Sequence, residues 1–384
     1  MTESLSVTSF SVERRKMTAY MIHHEDLRIF SQEVIMKMGA SKEDAYHVAD
    51  NLVTSNLRGI DSHGVGRLMR YVEGIKSGYI IPTATPAIEK DSPVIANIDA
   101  MNGLGQPAGV FGMKMSIEKA LNTGVGMVTV FNSNHYGFAG YYAMMALEND
   151  LIGISMTNSE PLVVPTFSKN AMIGTNPIAF AAPTKSERPW VMDLATSVVP
   201  SGKLEVYDRL GKKIPKGWAT DENGQSTDDP AVVLNNLYRG LGEGGIFPLG
   251  GEGELHGGHK GYGLATMVEI LCGVMSGANF LRDLAFRKDE KSKHPRIGHF
   301  FMAFDPSFFI DIDLFKTRMD DMINRLKTAE KAEGHDRIFV HGEKEYDEHE
   351  LRERNGIPVD EKTAEALIGY SNEFSIDLEF IDSK

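Results

Sequence analysis

The chain has 384 residues, which is enough to bury a sizeable core and to form about two or three structural units. Its 53 acidic and 40 basic residues give a net charge of −13, which argues against a surface that binds nucleic acid or an anionic membrane. The single cysteine, Cys272, excludes an intrachain disulfide, and no stretch reaches the ~20 consecutive apolar residues of a membrane span. These features predict a protein of a reducing compartment, the cytoplasm.

Two helices are predicted near the start of the chain, after a loose tail over residues 1–20. Apolar residues from Leu27 to Met38 recur at helical spacing, and Gly39 ends the pattern. Ser41 precedes Asp44 by three residues, a capping-box-like start for the second helix. Residues 80–93, with three prolines, are predicted to form a loop before a short strand at 94–98.

The middle of the chain has the texture of a sheet. Strands are predicted at residues 126–131, 151–156, 171–182 and 190–194, with one helix at 140–149. A glycine-rich block at 250–263 then runs into an apolar helix at 264–275. Strands at 299–304 and 337–340 and an amphipathic helix at 314–331 follow. The pattern predicts an α/β fold.

Two histidine motifs carry most of the predicted chemistry. Residues 132–137, which read NSNHYG, place His135 directly after a buried strand. Residues 61–67, which read DSHGVGR, place Ser62, His63 and Arg67 together, and on a continuing helix His63 and Arg67 share a face. A histidine at a strand end suits proton transfer, and an arginine presents a planar fork that matches a carboxylate. The alternative interpretations are a turn histidine at 135 and a solvent-exposed helix end at 63–67.

Weaker signals suggest a nucleotide site. Polar residues follow three later strands, at 157–159, 174–176 and 193–197, where they could bind the ribose and amide of a nucleotide or simply form turns. In the glycine block, Lys260 lies where backbone N–H groups could cradle a phosphate, although a flexible surface loop explains the glycines equally well. His256 and His259 lack a clear third ligand, so no metal site is predicted.

The common nucleotide-binding motifs are missing. No Walker A spacing occurs, and the glycines at 103, 105 and 109 have the wrong spacing for a dinucleotide fingerprint. They also lack, in this interpretation, a strand–turn–helix context. A standard Rossmann dehydrogenase is therefore a poor fit, and a nicotinamide cofactor would need another fold.

Together these runs resemble the malate/L-lactate dehydrogenase family, also called the L-sulfolactate dehydrogenase-like group. The resemblance is carried by residues 58–64 (RGIDSHG), 132–137 (NSNHYG), 174–177 (GTNP), 214–219 (IPKGWA) and 258–263 (GHKGYG), and it runs from about His24 into the C-terminal region. It implies a non-Rossmann α/β fold in which a central mixed-sheet cofactor domain meets a helical domain built from both chain ends. It also implies a homodimer and NAD as hydride carrier, with NADP as the alternative.

The resemblance also implies roles for individual residues. His135 matches a histidine that acts as acid and base in some members, and His63 matches a proton donor in others. Arg67 would hold the substrate carboxylate, supported by Ser62. The positions that resemble cofactor contacts are Ser159, Asp193, Leu194, Ala195, Lys260, His341, Gly342 and Glu343, although relatives often have proline where this chain has His341. The charged segment 281–299 beside the glycine block also departs from the expected pattern.

The predicted reaction is hydride transfer between NAD(P) and a small 2-oxo or 2-hydroxy acid of the malate or L-lactate type. Arg67 clamps the carboxylate, and a protonated His135 delivers a proton to the carbonyl oxygen, with the roles of His135 and His63 exchangeable. One alternative is reduction of an imine 2-carboxylate on the same fold. Two others are a metal-dependent hydrolase or lyase that uses His256 and His259, and a binding protein without catalysis.

The expected organisation follows the same resemblance. Residues 21–123 would form the N-terminal helical, substrate and dimer region, and residues 124–300 the NAD(P)-binding α/β domain. Residues 301–384 would pack on the N-terminal region. No nucleic-acid or membrane partner is expected.

Overall fold

A seven-stranded mixed sheet runs through the middle of the computed structural model, which describes residues 20–238, 242–284 and 294–381. The strands are β1 (Tyr20–Ile22), β2 (Ala87–Asp91), β3 (Ile95–Asp99), β4 (Val125–Ser133), β5 (Ile152–Thr157), β6 (Ile178–Ala182), β7 (Trp190–Leu194), β8 (Ala219–Thr220), β9 (Ser226–Thr227), β10 (Gly245–Ile246), β11 (Ile297–Phe304) and β12 (Ile357–Val359). The α-helices are α1 (His24–Lys37), α2 (Lys42–Leu57), α3 (Leu68–Lys76), α4 (Gly105–Thr123), α5 (Gly140–Met145), α6 (Ser201–Arg209), α7 (Pro230–Tyr238), α8 (Gly258–Val268), α9 (Ile312–Lys327), α10 (Glu343–Asn355) and α11 (Glu361–Phe374).

The order of strands in the large sheet is β2-β3-β4-β11-β5-β6-β7. Only β3 and β4 pair in parallel, and α4 connects them. The late strand β11 lies between β4 and β5, is antiparallel to both, and includes residues 300 and 301. The predicted central mixed sheet of a non-Rossmann α/β fold is confirmed.

Helices cover both faces of the sheet. Successive residues of a strand point to opposite faces, and on β11 the ring of Phe301 packs into the core beneath α4 and α5. Its neighbour Phe300 packs on the other side with Val268 and Cys272. The single cysteine, Cys272, is buried and free.

The long helix α4 contradicts the prediction that the glycines at 103–109 lack a strand–turn–helix context. β3, a turn and α4 follow one another there. Glycine disfavours helices, but here the lack of side chains permits close packing against the sheet. A Cβ on Gly112 would lie 2.8 Å from the Phe301 ring, and one on Gly109 would lie 2.6 Å from the Tyr142 ring.

A helical layer from both chain ends lies beside the sheet. β1 and β12 pair, and one apolar core joins residues of α1, α2 and α3 to Ile357, Val359 and Leu367 near the C-terminus. Ser41 caps α2 by accepting from the Asp44 N–H, as predicted. This confirms the helical unit built from both chain ends, whereas β2, β3 and α4, from residues 87–123, belong to the sheet layer.

A smaller layer contains β10-β8-β9 with α6 and α7 around a separate apolar core. Four predicted elements differ from the structure. Residues 80–93 include the edge strand β2, which was missed because all of its residues are exposed, as in a loop. Of the strand predicted at 171–182, only residues 178–182 belong to the large sheet. Residues 337–340 form no strand, and the helix predicted at 264–275 begins earlier, at Gly258, and continues as a π-helical turn, Glu269–Val274.

No helix in the described ranges is long and apolar enough to cross a membrane.

Candidate active site

A cavity of about 700 Å³ opens where the helical layer meets the polar ends of the sheet strands. Its size lies within the roughly 300–1,000 Å³ of small-molecule sites. The lining includes Ser62, His63 and Arg67 from the helical layer, His135 from the end of β4, and the predicted cofactor residues Ser159, Asp193, Leu194, Ala195, His341 and Gly342. The structure thus brings together ten of the twelve site residues named from the sequence.

His135 is held in place by the backbone and side chains around it. It lies two residues beyond β4, and the Asn134 amide donates to the carbonyls of Asn102 and Gly103 at 3.1 and 2.8 Å. A Cβ on Gly105 would overlap the carbonyl oxygens of Asn134 and His135, so only glycine allows α4 to begin there. The amides of the NSNHYG run therefore fix the histidine.

His63 and Arg67 lie on two consecutive 3₁₀ turns, Asp61–His63 and Val65–Arg67, rather than on one continuing helix. The break occurs at Gly64, where the Asn56 side chain leaves no room for a Cβ. Asn56 accepts from the Val65 N–H at 2.8 Å and donates to Asp61 at 2.7 Å. Arg67 donates from Nε to the Ser62 carbonyl at 2.7 Å and still faces the cavity with the two histidines.

The two histidine rings stack, with centroids 5.6 Å apart. Nδ1 of His135 lies 2.8 Å from the hydroxyl of the fully buried Tyr71, and Nδ1 of His63 lies 2.9 Å from the Ser62 hydroxyl. Because Nδ1 is engaged in each ring, Nε2 is the nitrogen left to meet a bound molecule.

Both imidazoles favour the neutral form. Burial, followed by the positive charge of Arg70, holds the pKa of His135 well below its ordinary value. Burial, followed by Arg67 and Arg70, lowers the pKa of His63 to about 4. Both rings line the cavity, so an anion bound there would change their surroundings. The lowered pKa values therefore describe the site before an anion binds.

Arg70 is a second arginine of the cavity and was not named from the sequence. It lies on α3, three residues and about one helical turn after Arg67. This spacing could have identified Arg70 from the sequence. Its Nη2 donates to Glu160 at 2.8 Å, whereas Arg67 has no carboxylate partner among the described residues. The role of Tyr71 could not be seen in advance, because its helical spacing is also that of a core residue.

Asp193 is the charged member of the predicted cofactor residues in the cavity. Its carboxylate accepts from the Gly140 N–H at 2.6 Å. Desolvation by the surrounding protein raises the pKa of the Asp193 carboxylate to about 6. The hydrogen bond from the Gly140 N–H and the positive charge of Arg58 lower this pKa. Ser159 accepts from the Thr175 N–H at 3.1 Å, so both side chains also order the turns they lie on.

Lys260 and Glu343 lie outside the cavity. Lys260 is exposed near the start of α8, and Glu343 is buried against Arg337 beside a smaller cavity of about 290 Å³. His256 and His259 are exposed, and across residues 20–238, 242–284 and 294–381 no three His, Cys, Asp or Glu side chains are arranged to hold a metal ion. Part of the charged segment 281–299 (residues 285–293) lies outside the described residues.

The burial of His135 generates a prediction about its charge. A group whose pKa is lowered stays neutral until the pH falls below that pKa, so we expect a neutral His135 at about pH 5.5, where an ordinary histidine is mostly protonated. The ¹⁵N shifts of the imidazole nitrogens, assigned with His135→Gln and His63→Gln, measure this directly. A titration midpoint for His135 near about 6.5 would contradict the burial argument.

Known proteins with the same pattern share both sequence and fold with this chain. The family model for malate/L-lactate dehydrogenase matches residues 22–368. Malate dehydrogenase of Pyrococcus abyssi is 48% identical over 346 residues, covering 90% of this chain and 92% of the relative. Malate/(S)-sulfolactate dehydrogenase of Methanothermus fervidus is 39% identical over 358 residues, covering 93% and 99%.

A solved structure agrees with these matches. The crystal structure of malate dehydrogenase from Entamoeba histolytica superposes with a TM-score of 0.90 at 37% identity, covering 94% of this chain and 100% of that one. The chain therefore belongs to the malate/L-lactate dehydrogenase family, as its motifs predicted, and is an oxidoreductase of 2-hydroxy acids.

Proposed function

We propose that the protein transfers a hydride between a nicotinamide dinucleotide and a 2-hydroxy acid with two acidic groups, of the malate type. The observation that carries the proposal is the meeting of two stacked histidines and two arginines, His63, His135, Arg67 and Arg70, in one cavity. The similarity to malate and malate/(S)-sulfolactate dehydrogenases, at 48% and 39% identity, supports the same substrate class.

Arg67 suits the carboxylate next to the reacting carbon. Its Nε is fixed by the Ser62 carbonyl, so the guanidinium is oriented before the substrate arrives. The terminal nitrogens have no carboxylate partner in the described part of the chain and can form a charge-assisted pair with the substrate. Such a pair would place the 2-carbon in front of the histidines.

Arg70 suits a second acidic group. With both histidines neutral, Arg67, Arg70 and Glu160 give this part of the cavity one net positive charge, and the Arg70–Glu160 contact uses only one guanidinium nitrogen. The remaining nitrogens of Arg70 can bind the distal carboxylate of a dianion. A 2-hydroxy acid with a methyl group there would gain nothing from Arg70.

His135 suits the proton transfer. In the oxidative direction a neutral imidazole is the form that accepts the hydroxyl proton, and burial favours that form. In the reductive direction the ring must carry a proton, and the negative charge of a bound 2-oxo acid raises the histidine pKa toward that state. For Nε2 to take the hydroxyl proton, Nδ1 must already carry a hydrogen, which it donates to the Tyr71 hydroxyl oxygen.

The bound nicotinamide would supply the hydride. Ser159, Leu194 and Ala195 offer small polar or apolar contacts at the ends of β5 and β7, which flank β6 in the sheet. Gly342 allows close approach at the start of α10. Asp193 offers a carboxylate to a hydroxyl or amide. We include the six predicted residues that line the cavity and leave out Lys260 and Glu343.

The activity itself is tested by the loss of NADH and, separately, NADPH absorbance with oxaloacetate, pyruvate and a cyclic imine 2-carboxylate. We expect turnover with oxaloacetate that a chelator does not reduce. His135→Ala should lower kcat roughly 10²–10⁴-fold, with NADH binding retained, because the ring donates the proton in the transition state. If His63→Ala alone has this effect, the two roles are exchanged; turnover of the imine alone, or of none of the three, contradicts the proposal.

The role of Arg70 is tested by how its replacement changes the enzyme's preference between two substrates. Arg70→Leu should lower kcat/KM for oxaloacetate roughly 10- to 100-fold more than for pyruvate, the loss expected for a hydrogen bond between charged groups. The matched variant Glu160→Gln removes the competing negative charge and should favour oxaloacetate. Equal losses for both substrates in Arg70→Leu would assign Arg70 a structural role instead.

We also propose that the protein is a homodimer, as the family resemblance implied, and we place its interface on α8 rather than in the predicted dimer region, residues 21–123. The helix α8 and the π-helical turn after it expose an apolar stripe, formed by Leu264, Met267, Ile270, Val274 and Met275, while their opposite side packs on the sheet. Contiguous apolar surface of this kind marks interaction sites in proteins.

The dimer is tested by two matched charge substitutions. Ile270 is 52% exposed in this stripe and Ile29 is 54% exposed on α1. Light scattering should give a dimeric mass for the native chain and for Ile29→Glu, and a monomeric mass for Ile270→Glu. A monomeric native chain would refute the dimer, and a dimeric Ile270→Glu would refute this interface.

A further inference from the structure

Gln106 is a fully buried side-chain amide close to His135. It is the second residue of α4, and the helix begins directly against the histidine: a Cβ on Gly105 would lie 2.5 Å from the His135 carbonyl oxygen. The polar contact of the amide is with the Tyr71 hydroxyl. Burial raises the pKa of that hydroxyl, and the contact with Gln106 lowers it. The contact is looser than a hydrogen bond of normal geometry, and neither amide atom has another partner among the described residues. Because buried amides are normally hydrogen-bonded, Gln106 indicates a role at Tyr71.

The Tyr71 hydroxyl joins Gln106 to His135. It is fully buried and lies 2.8 Å from Nδ1 of His135. A hydroxyl has one hydrogen to donate, and Tyr71 can give it to the imidazole or to the amide oxygen of Gln106. The guanidinium groups of Arg67 and Arg70, whose charges also act on Tyr71, are donors only. The direction of the Tyr71 hydrogen therefore decides whether Nδ1 accepts a hydrogen bond or donates one.

Without Gln106, two donors would be directed at Nδ1 of His135. The Gly137 N–H points at this atom from 3.3 Å, and the Tyr71 hydroxyl would donate to it as well. Both contacts favour the neutral tautomer that carries its hydrogen on Nε2. In that tautomer Nε2, the nitrogen left for a bound molecule, cannot accept the hydroxyl proton of a substrate. An acceptor for the Tyr71 hydrogen is needed to reverse this preference.

We propose that Gln106 is a positioning residue that sets the tautomer of His135. Its amide oxygen accepts the Tyr71 hydrogen, the hydroxyl oxygen accepts from Nδ1–H of His135, and Nε2 is left as the base. When Nε2 takes the substrate proton, the Nδ1–H bond to Tyr71 stays as it was, so no second proton moves. The inference rests on the proposed function, because that function makes His135 the base. Hydrogen bonds that point the same way along a buried chain also strengthen one another.

The test compares Gln106→Met with Ser116→Ala. Methionine is similar in size to glutamine and offers only a weak acceptor. Ser116 lies on the same helix, is also fully buried, and its hydroxyl has no hydrogen-bond partner in the described part of the chain. The ¹⁵N shifts of the His135 ring, recorded at neutral pH without substrate, show which nitrogen carries the hydrogen. Thermal unfolding checks that each variant folds, and Gln106→Leu serves if Gln106→Met does not.

We expect the hydrogen on Nδ1 in the native chain and in Ser116→Ala, and on Nε2 in Gln106→Met. The kcat of malate oxidation should fall roughly 10- to 100-fold in Gln106→Met, the loss expected when a buried polar group loses its partner. NADH binding, measured by fluorescence, should stay unchanged. In a Tyr71→Phe background, Gln106→Met should change neither the tautomer nor kcat any further, because Gln106 acts through Tyr71.

A hydrogen on Nε2 in the native chain, or an unchanged tautomer in a folded Gln106→Met, would overturn the proposal. A further loss of kcat on adding Gln106→Met to Tyr71→Phe would overturn it too, since Gln106 would then act by another route. A chain whose His135 tautomer depends on Gln106 but which transfers no hydride to or from NAD(P) would instead refute the proposed function and leave this role of Gln106 standing.

Discussion

The ion pair between Arg352 and Asp61 is the contact on which the arrangement of the cavity depends. Two guanidinium nitrogens of Arg352 reach the two carboxylate oxygens at 2.6 and 3.0 Å, and one also donates to the Asn56 carbonyl. Asp61 begins the turn that carries Ser62 and His63, and Arg352 lies on α10, whose other end lines the cavity. A bidentate pair constrains orientation as well as distance. It therefore joins the N-terminal and C-terminal parts of the chain. It also holds the turn with Ser62 and His63 close to the start of α10, which we assign to the cofactor.

The elements that could be predicted from the sequence are those whose pattern is local. The strands β4, β5, β7 and β11 were found within about two residues of their true bounds because buried β-branched and aromatic residues lie between turn signals. α4 was missed because its glycines disfavour a helix in isolation, and their value lies in contact with Phe301 and Tyr142, which are distant in sequence. The order of strands was equally inaccessible, since β11 enters the centre of the sheet from far along the chain.

The candidate site divides in the same way. His63, Arg67 and His135 were named because a motif places reactive side chains next to turn residues, and all three line one cavity. Arg58, Arg70 and Tyr71 gain their significance from tertiary contacts: the absence of a counter-charge, a pair with Glu160 and a hydrogen bond to His135. Lys260 stays a prediction, because a glycine-rich setting resembles a phosphate loop wherever it lies, and in this structure the lysine is exposed away from the cavity.

The charges of the cavity explain how an acidic protein can accept anionic ligands. The net charge of −13 repels an anion at a distance, but salt screens exposed charges beyond about 8–10 Å at physiological ionic strength. Within the cavity the positive charges of Arg58, Arg67, Arg70 and Lys344 act over shorter distances and with less screening, against Glu160, Asp193 and Glu345. Because Arg70 is paired with Glu160 while Arg58 and Arg67 have no carboxylate partner among the described residues, the last two are the cations that most need an anion.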